Sequence, residues 1–137
     1  MKVYILISVV ISIQYINALF IDNFNVIIGN YEKYIEDLCA EESKVSPQLA
    51  KALISEGTLV DNKELKKFLF CIYLKAGITD KDGNVHEDII AFYLGTGDPK
   101  IDEALYKRCA SLTDDNATEK TWKIFKCRQN ILKLYNM

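Results

Sequence analysis

Apolar residues recur along this chain at spacings of three and four, and residues that start or stop helices bracket each such run. From 21 to 41, Phe24, Ile27, Ile28, Tyr31, Ile35 and Leu38 form one stripe, which predicts a long first helix weakened in its middle by Gly29. Ser46-Pro47 has the form of a cap followed by proline in the first turn. It opens a short helix through Leu49, Leu53 and Ile54, which Gly57 ends. Asp61, with Glu64 three residues on, resembles a capping box. The helix it starts runs through Leu65, Phe68, Leu69, Cys71, Ile72 and Tyr73 to Gly77. Thr79 to Asn84 is a turn by composition. A fourth helix begins near His86, carries Ile89, Ile90, Phe92, Tyr93 and Leu94, and stops at Gly95-Thr96-Gly97. Asp98-Pro99 repeats the cap-plus-proline signal and opens a fifth, with Ile101, Leu105, Tyr106 and Cys109. Thr113 or Asp114 caps a last helix of about twenty residues, whose apolar positions include Trp122, Ile124, Phe125, Cys127, Ile131, Leu132 and Tyr135. No stretch alternates with period two long enough to be a strand. The pattern predicts an all-α single domain of about six helices.

The first eighteen residues stand apart from this pattern. Met1-Lys2 gives a short charged start, an apolar run reaches Ile13, and Gln14 to Ala18 supplies a polar break and a small residue. That is the tripartite layout of a secretory signal peptide, cleaved after Ala18. The apolar run is too short for a bilayer span of roughly 20 residues, which argues against an uncleaved anchor helix. Residues 19–137 are then a secreted, extracellular domain with no stable membrane insertion.

Secretion changes what the cysteines mean. All four (Cys39, Cys71, Cys109 and Cys127) lie beyond Ala18, and an even number in an oxidising compartment reads as disulfides. Four cysteines allow three pairings, and spacing alone does not choose among them. No Cys-x-x-Cys pair is present to suggest a metal site. Composition narrows the function further. A net charge of -2 excludes the basic footprint of a nucleic-acid binder. The single histidine, His86, has no nucleophile pattern around it, so neither an enzyme nor a cofactor is expected. A secreted helical phospholipase would need a His-Asp pair and a glycine-rich calcium loop, and the sequence has neither. Asp80-Lys81-Asp82-Gly83-Asn84 is out of register for calcium. Counted from Asp80, Val85 stands where the sharp-turn glycine belongs and Ala91 where the bidentate glutamate belongs. Asn116-Ala117-Thr118 is a complete glycosylation sequon.

Eight tyrosines, six phenylalanines and one tryptophan are the more telling feature. On several helices they neighbour aliphatic residues, as with Leu69 and Tyr73 or Ile89 and Tyr93. Such residues either fill a helical core or line an apolar cavity in which a few hydroxyls orient a ligand. Periodicity does not separate the two.

The stretch Leu65-Lys66-Lys67-Phe68-Leu69-Phe70-Cys71-Ile72-Tyr73-Leu74-Lys75-Ala76-Gly77, followed by Asp80 to Val85, resembles the third helix, central cysteine and Asp-x-x-Gly turn of the insect odorant-binding proteins, of the pheromone-binding and general-odorant-binding type. That family's pattern has six cysteines. Cys71 matches the third, so the second would fall at Lys67; Cys127 matches the sixth, so the fifth would fall at Thr118. The two absent cysteines bond to each other in the family, so their joint loss leaves no odd thiol. The chain looks like the four-cysteine "minus-C" subgroup.

The resemblance implies six helices around an apolar cavity, with the pairings Cys39–Cys71 and Cys109–Cys127. It implies non-covalent carriage of a small hydrophobic molecule such as an odorant or pheromone, by a monomer or weak dimer, with a chemosensory receptor as a candidate contact. By position relative to the matched cysteines, Leu69, Tyr73, Ile78, Val85, Tyr93, Tyr106 and Ile124 would face the ligand. Arg128 departs from the apolar residue often found after the last cysteine; it either orients a polar head group or faces solvent. The alternative function is a secreted helical effector whose core is filled and whose surface binds a protein partner.

Overall fold

The computed structural model describes residues 26–86 and 95–137. The first twenty-five residues, with the expected signal peptide, and most of the expected fourth helix, with Tyr93, lie outside the described residues. The chain divides into two units, Met1–Tyr34 and Ile35–Met137. In the first, residues 26–34 are helical through Gly29, and Val26, Ile27, Tyr31 and Tyr34 are exposed. The expected first-helix stripe is therefore buried only from Ile35 onward.

The second unit opens with helical residues 35–43 (α1), which bury Ile35 and Cys39. Lys44, at a φ of 58°, turns the chain out of the helix. Ser46 then caps α2 (Pro47–Glu56) by accepting from the Leu49 N–H at 3.3 Å, and Pro47 occupies the first turn, where no N–H is required. Gly57 closes α2 in the left-handed conformation, a position that favours glycine. Leu53 is buried, but Ile54 is 47% exposed, because one residue's step turns it about 100° off the buried face.

Helix α3 (Lys63–Lys75) buries Leu65, Phe68, Leu69 and Tyr73. Its cap is Asn62, accepting from the Leu65 N–H at 2.8 Å, and not Asp61, whose carboxylate is drawn to Lys66 at 2.8 Å. Past Gly77 the Ile78 and Thr79 N–H groups donate back to the Tyr73 carbonyl, and Thr79 pairs across a short antiparallel bridge with Val85. The turn between them is held by Asp80, whose Oδ1 accepts from the N–H groups of Asp82 and Asn84, each at 2.9 Å. Those bonds keep the Asp80 carboxyl below its usual range. The turn docks on the last helix through Gly83 (φ 79°), where an added Cβ would lie 2.9 Å from the Ala117 carbonyl oxygen.

Asp98-Pro99 opens α4 (Pro99–Leu105) as expected, with Asp98 accepting from the Lys100 N–H at 2.9 Å. The helix then widens into a π turn, Tyr106–Ala110. Residues four apart on an α-helix drift around the axis by about 40° per step. The wider turn takes that drift back, so Ile101, Leu105 and Cys109 are all buried. The last helix, α5 (Ala117–Leu134), is capped by Asn116, accepting from the Glu119 N–H at 3.0 Å. Asp114 does not cap it; its carboxylate accepts from Asn116 N–H at 2.9 Å and pairs with Lys123 at 2.7 Å. Of the apolar positions expected on this helix, Trp122, Ile124, Phe125 and Ile131 are buried, Cys127 and Leu132 are half-buried, and Tyr135 is 48% exposed.

Both disulfides are formed, Cys39–Cys71 and Cys109–Cys127, with Cα atoms 5.6 and 5.5 Å apart. The first ties α1 to α3 and the second ties the π turn to α5. In the chain-entropy picture each closed loop contributes roughly 3–4 kcal/mol, a large share of the 5–15 kcal/mol typical of a whole domain.

Candidate functional site

The core of the second unit has two parts. One gathers Ile35, Cys39, Val45, Leu53, Leu65, Phe68, Leu69, Tyr73, Ile78, Trp122 and Phe125; the other gathers Ile101, Leu105, Cys109, Ile124 and Ile131. Val85 packs against both. Helix α5 serves both because successive core residues on it point to different sides: Trp122 and Phe125 belong to the first part, Ile124 and Ile131 to the second.

Five of the seven residues expected to face a ligand lie in or against this core. Leu69, Tyr73 and Ile78 stand on the first side, Ile124 on the second, and Val85 between them. Tyr93 lies outside the described residues. Tyr106 is 38% exposed on the π turn and belongs to neither part of the core. The widening that returns Cys109 to the face of Ile101 also rotates it away from Tyr106. This separates residues that an ideal helix would have kept closer together.

Tyr73 is the best-defined residue of the group. Its ring meets Phe125 edge-on, with centroids 6.4 Å apart and planes at 76°. Its phenol is enclosed, and burial pushes it well above its usual range, with the positive charge of Arg128 pulling the other way. The phenol is thus a proton-bearing donor at physiological pH. Arg128 itself is half-buried. The hydroxyls of Tyr73 and Thr79 are both enclosed and have no hydrogen-bond partner among the described residues. Thr79, only 2% exposed, was not expected to be buried. Its place in a polar, turn-like stretch concealed it, and the one available signal was that it follows directly on Ile78.

Beside Trp122, α3 and α5 are tied by charge. The Lys66 ammonium sits 3.1 Å from Glu119 Oε1, 2.8 Å from Asp61, and 5.9 Å above the Trp122 ring. Lys67 and Thr118, where the two absent cysteines would fall, line one cleft of about 200 Å³ between these helices. A wider groove of about 370 Å³ lies elsewhere, over α1, α2 and Phe68, and none of the expected ligand residues lines it. His86 is exposed, and so is Asn116 of the sequon. Among the described residues, no helix is long and apolar enough to cross a membrane.

Comparison with known proteins decides the family. The PBP/GOBP family model matches residues 30–130. The chain belongs to the PBP/GOBP family. Its two bridges and the cleft at Lys67 and Thr118 fit the subgroup of that family with four cysteines. This PBP/GOBP member matches none of the curated proteins in a search by sequence. Solved structures share its fold. The fatty acid binding protein OBP56a from the oral disk of the blowfly Phormia regina is 23% identical, with a TM-score of 0.64 over 77% of this chain and 92% of that one. The odorant-binding protein OBP28a of Drosophila melanogaster is 18% identical, with a TM-score of 0.65 over 77% and 92%. The medfly odorant-binding protein CcapOBP22/CcapOBP69a is 25% identical, with a TM-score of 0.60 over 76% and 90%.

Proposed function

We propose that this family member is a secreted carrier of small hydrophobic molecules. Residues 1–18 direct export and are removed, and residues 19–137 take up a lipophile in an internal apolar cavity. The observation that supports this reading is the match of the PBP/GOBP family model to residues 30–130; Leu69, Tyr73, Ile78, Val85 and Ile124 lie in or against the core. Tyr93 and Tyr106 belong to the proposed lining on the family resemblance alone. The blowfly neighbour, a fatty acid binding protein on the same fold, is in keeping with a ligand of this kind.

The mechanism is burial. Removing about 200 Å² of apolar ligand surface from water contributes roughly 5 kcal/mol. Micromolar binding requires about 8 kcal/mol, so shape fit and polar contacts must supply the rest and offset the entropy of association. The test is an environment-sensitive naphthylamine dye added to the secreted protein. Its emission should rise on binding and fall when an unlabelled lipophile displaces it. Emission that no lipophile displaces indicates a filled core, and the alternative of a protein-binding effector then takes precedence.

A further inference from the structure

Asn116 and Thr118, the acceptor and the hydroxyl residue of the one sequon, both line the cleft of about 200 Å³ that α3 and α5 share. Lys63 and Lys67, both exposed, line it from α3. Asn116 is exposed but fixed in place. Its Oδ1 accepts from the Glu119 N–H at 3.0 Å, and its own N–H donates to Asp114 at 2.9 Å. Its Nδ2 has no partner among the described residues.

Glycosylation uses that nitrogen and leaves the oxygen alone. During export, Nδ2 bonds to the anomeric carbon of an oligosaccharide carried on a lipid diphosphate. The bond from that carbon to the diphosphate oxygen breaks, the diphosphate leaves, and Nδ2 gives up one proton. The product amide keeps its carbonyl oxygen, so the cap on α5 survives the modification. The first sugar is then bonded directly to a residue that lines the cleft.

The side chains there suit a sugar better than a lipophile. Ammonium groups at Lys63 and Lys67 can donate to sugar oxygens, and carboxylates at Asp61 and Glu119 can accept from sugar hydroxyls. Lys66 holds both carboxylates, at 2.8 and 3.1 Å, so that wall is already in position. Thr118 has a further meaning. It stands where a cysteine would pair with one at position 67, so the residue that omits the bridge also completes the sequon. We propose that Asn116 carries an N-linked glycan whose first N-acetylglucosamine lies in this cleft and joins α5 to α3, at the contact a bridge between 67 and 118 would otherwise supply. The inference rests on the export part of the proposed function and not on what the protein carries.

The test uses the full chain from Met1, made in insect cells with a mannosidase inhibitor and recovered from the medium. Endoglycosidase H leaves a form with a single N-acetylglucosamine. A peptide amidase removes all sugar and turns the Asn116 amide into a carboxylate, which still caps the helix; Asn116→Asp yields the same form without the enzyme. Lysines are then acetylated with an N-hydroxysuccinimide ester and read by peptide mass. Lys67 should react several-fold more slowly in the single-sugar form than in the sugar-free form, while Lys81, exposed and outside the cleft, reacts equally in both. The single-sugar form should also melt a few degrees higher. Thr118→Ser, which keeps the sequon, should keep the sugar and both effects. A secreted chain with no sugar on Asn116 overturns the inference and leaves export standing. A sugar that leaves Lys67 as reactive as before, or that slows Lys81 as much, overturns the seat in the cleft. Equal melting overturns the join between the helices. A chain that never reaches the medium overturns export and the inference together.

Discussion

Removing the phenolic oxygen of Tyr73 should make the ligand-free protein more stable. In Tyr73→Phe the ring keeps its edge-on contact with Phe125, and the position stays within the core, 5% exposed. What is lost is a hydroxyl with no partner among the described residues. Leaving such a group unpaired costs about 1–3 kcal/mol, so its removal should return about 1 kcal/mol. For a domain of this size that corresponds to a rise in melting temperature of roughly 4 °C. Thermal unfolding followed by circular dichroism reads the sign. A ligand-free variant that melts well below the wild type would show that the hydroxyl is already satisfied inside the protein, and the reasoning would fail.

Four further outcomes are expected. Lys67→Cys with Thr118→Cys should form a disulfide, since both positions line one cleft between α3 and α5; the loop of about 52 residues sets a ceiling of roughly 4 kcal/mol, and free thiols in non-reducing peptide maps would refute it. Gly83→Ala should lower the urea midpoint, because φ is 79° and the new Cβ would meet the Ala117 carbonyl oxygen; the left-handed conformation alone costs about 1–2 kcal/mol. Asp80 and Asp61 are both held below the usual carboxylate range, Asp80 first by the Asn84 N–H and Asp61 first by its bond to Lys66. Their contribution is present above the unfolded-state range and lost as pH falls through the lowered folded values, so the urea midpoint should drop between about pH 5 and pH 2, and less steeply in Asp80→Asn. The secreted protein should lose mass on glycosidase treatment, and Asn116→Gln should abolish that shift; an unmodified wild type would count against use of the sequon.

Helix starts show where the sequence was legible and where it was not. Ser46-Pro47 and Asp98-Pro99 were readable because proline fixes φ and needs no hydrogen-bond partner in a first turn, which leaves a single residue able to cap. Asp61-Asn62 and Asp114-Asp115-Asn116 offer several capping side chains in a row. Distant lysines settle the choice: Lys66 takes the Asp61 carboxylate and Lys123 that of Asp114, which leaves the asparagine in each case to cap. The disulfides followed from the family's cysteine spacing, not from geometry in this sequence. The burial of Leu69, Tyr73 and Ile124 was legible because the helical period carries it, and that period says nothing of a ligand. The setting of Tyr106 was hidden, since a π turn has no signature in residue spacing. Thr79 was hidden for a different reason: composition describes the stretch as a turn, while its N–H bond to the Tyr73 carbonyl and the bridge opposite Val85 draw its first residue inward.

The two disulfides follow one another along the chain, from 39 to 71 and from 109 to 127, and neither encloses the other. With all four cysteines so used, the covalent structure is two closed rings on a string. Each ring fastens one half of the core: Cys39 belongs to the first and Cys109 to the second. Among the described residues, α5 runs across the join, Val85 packs against both parts, and neither disulfide crosses it. On the carrier reading proposed above, a lipophile would enter or leave with both rings intact, and its exchange should be indifferent to the redox state of the surrounding fluid until the rings themselves are reduced.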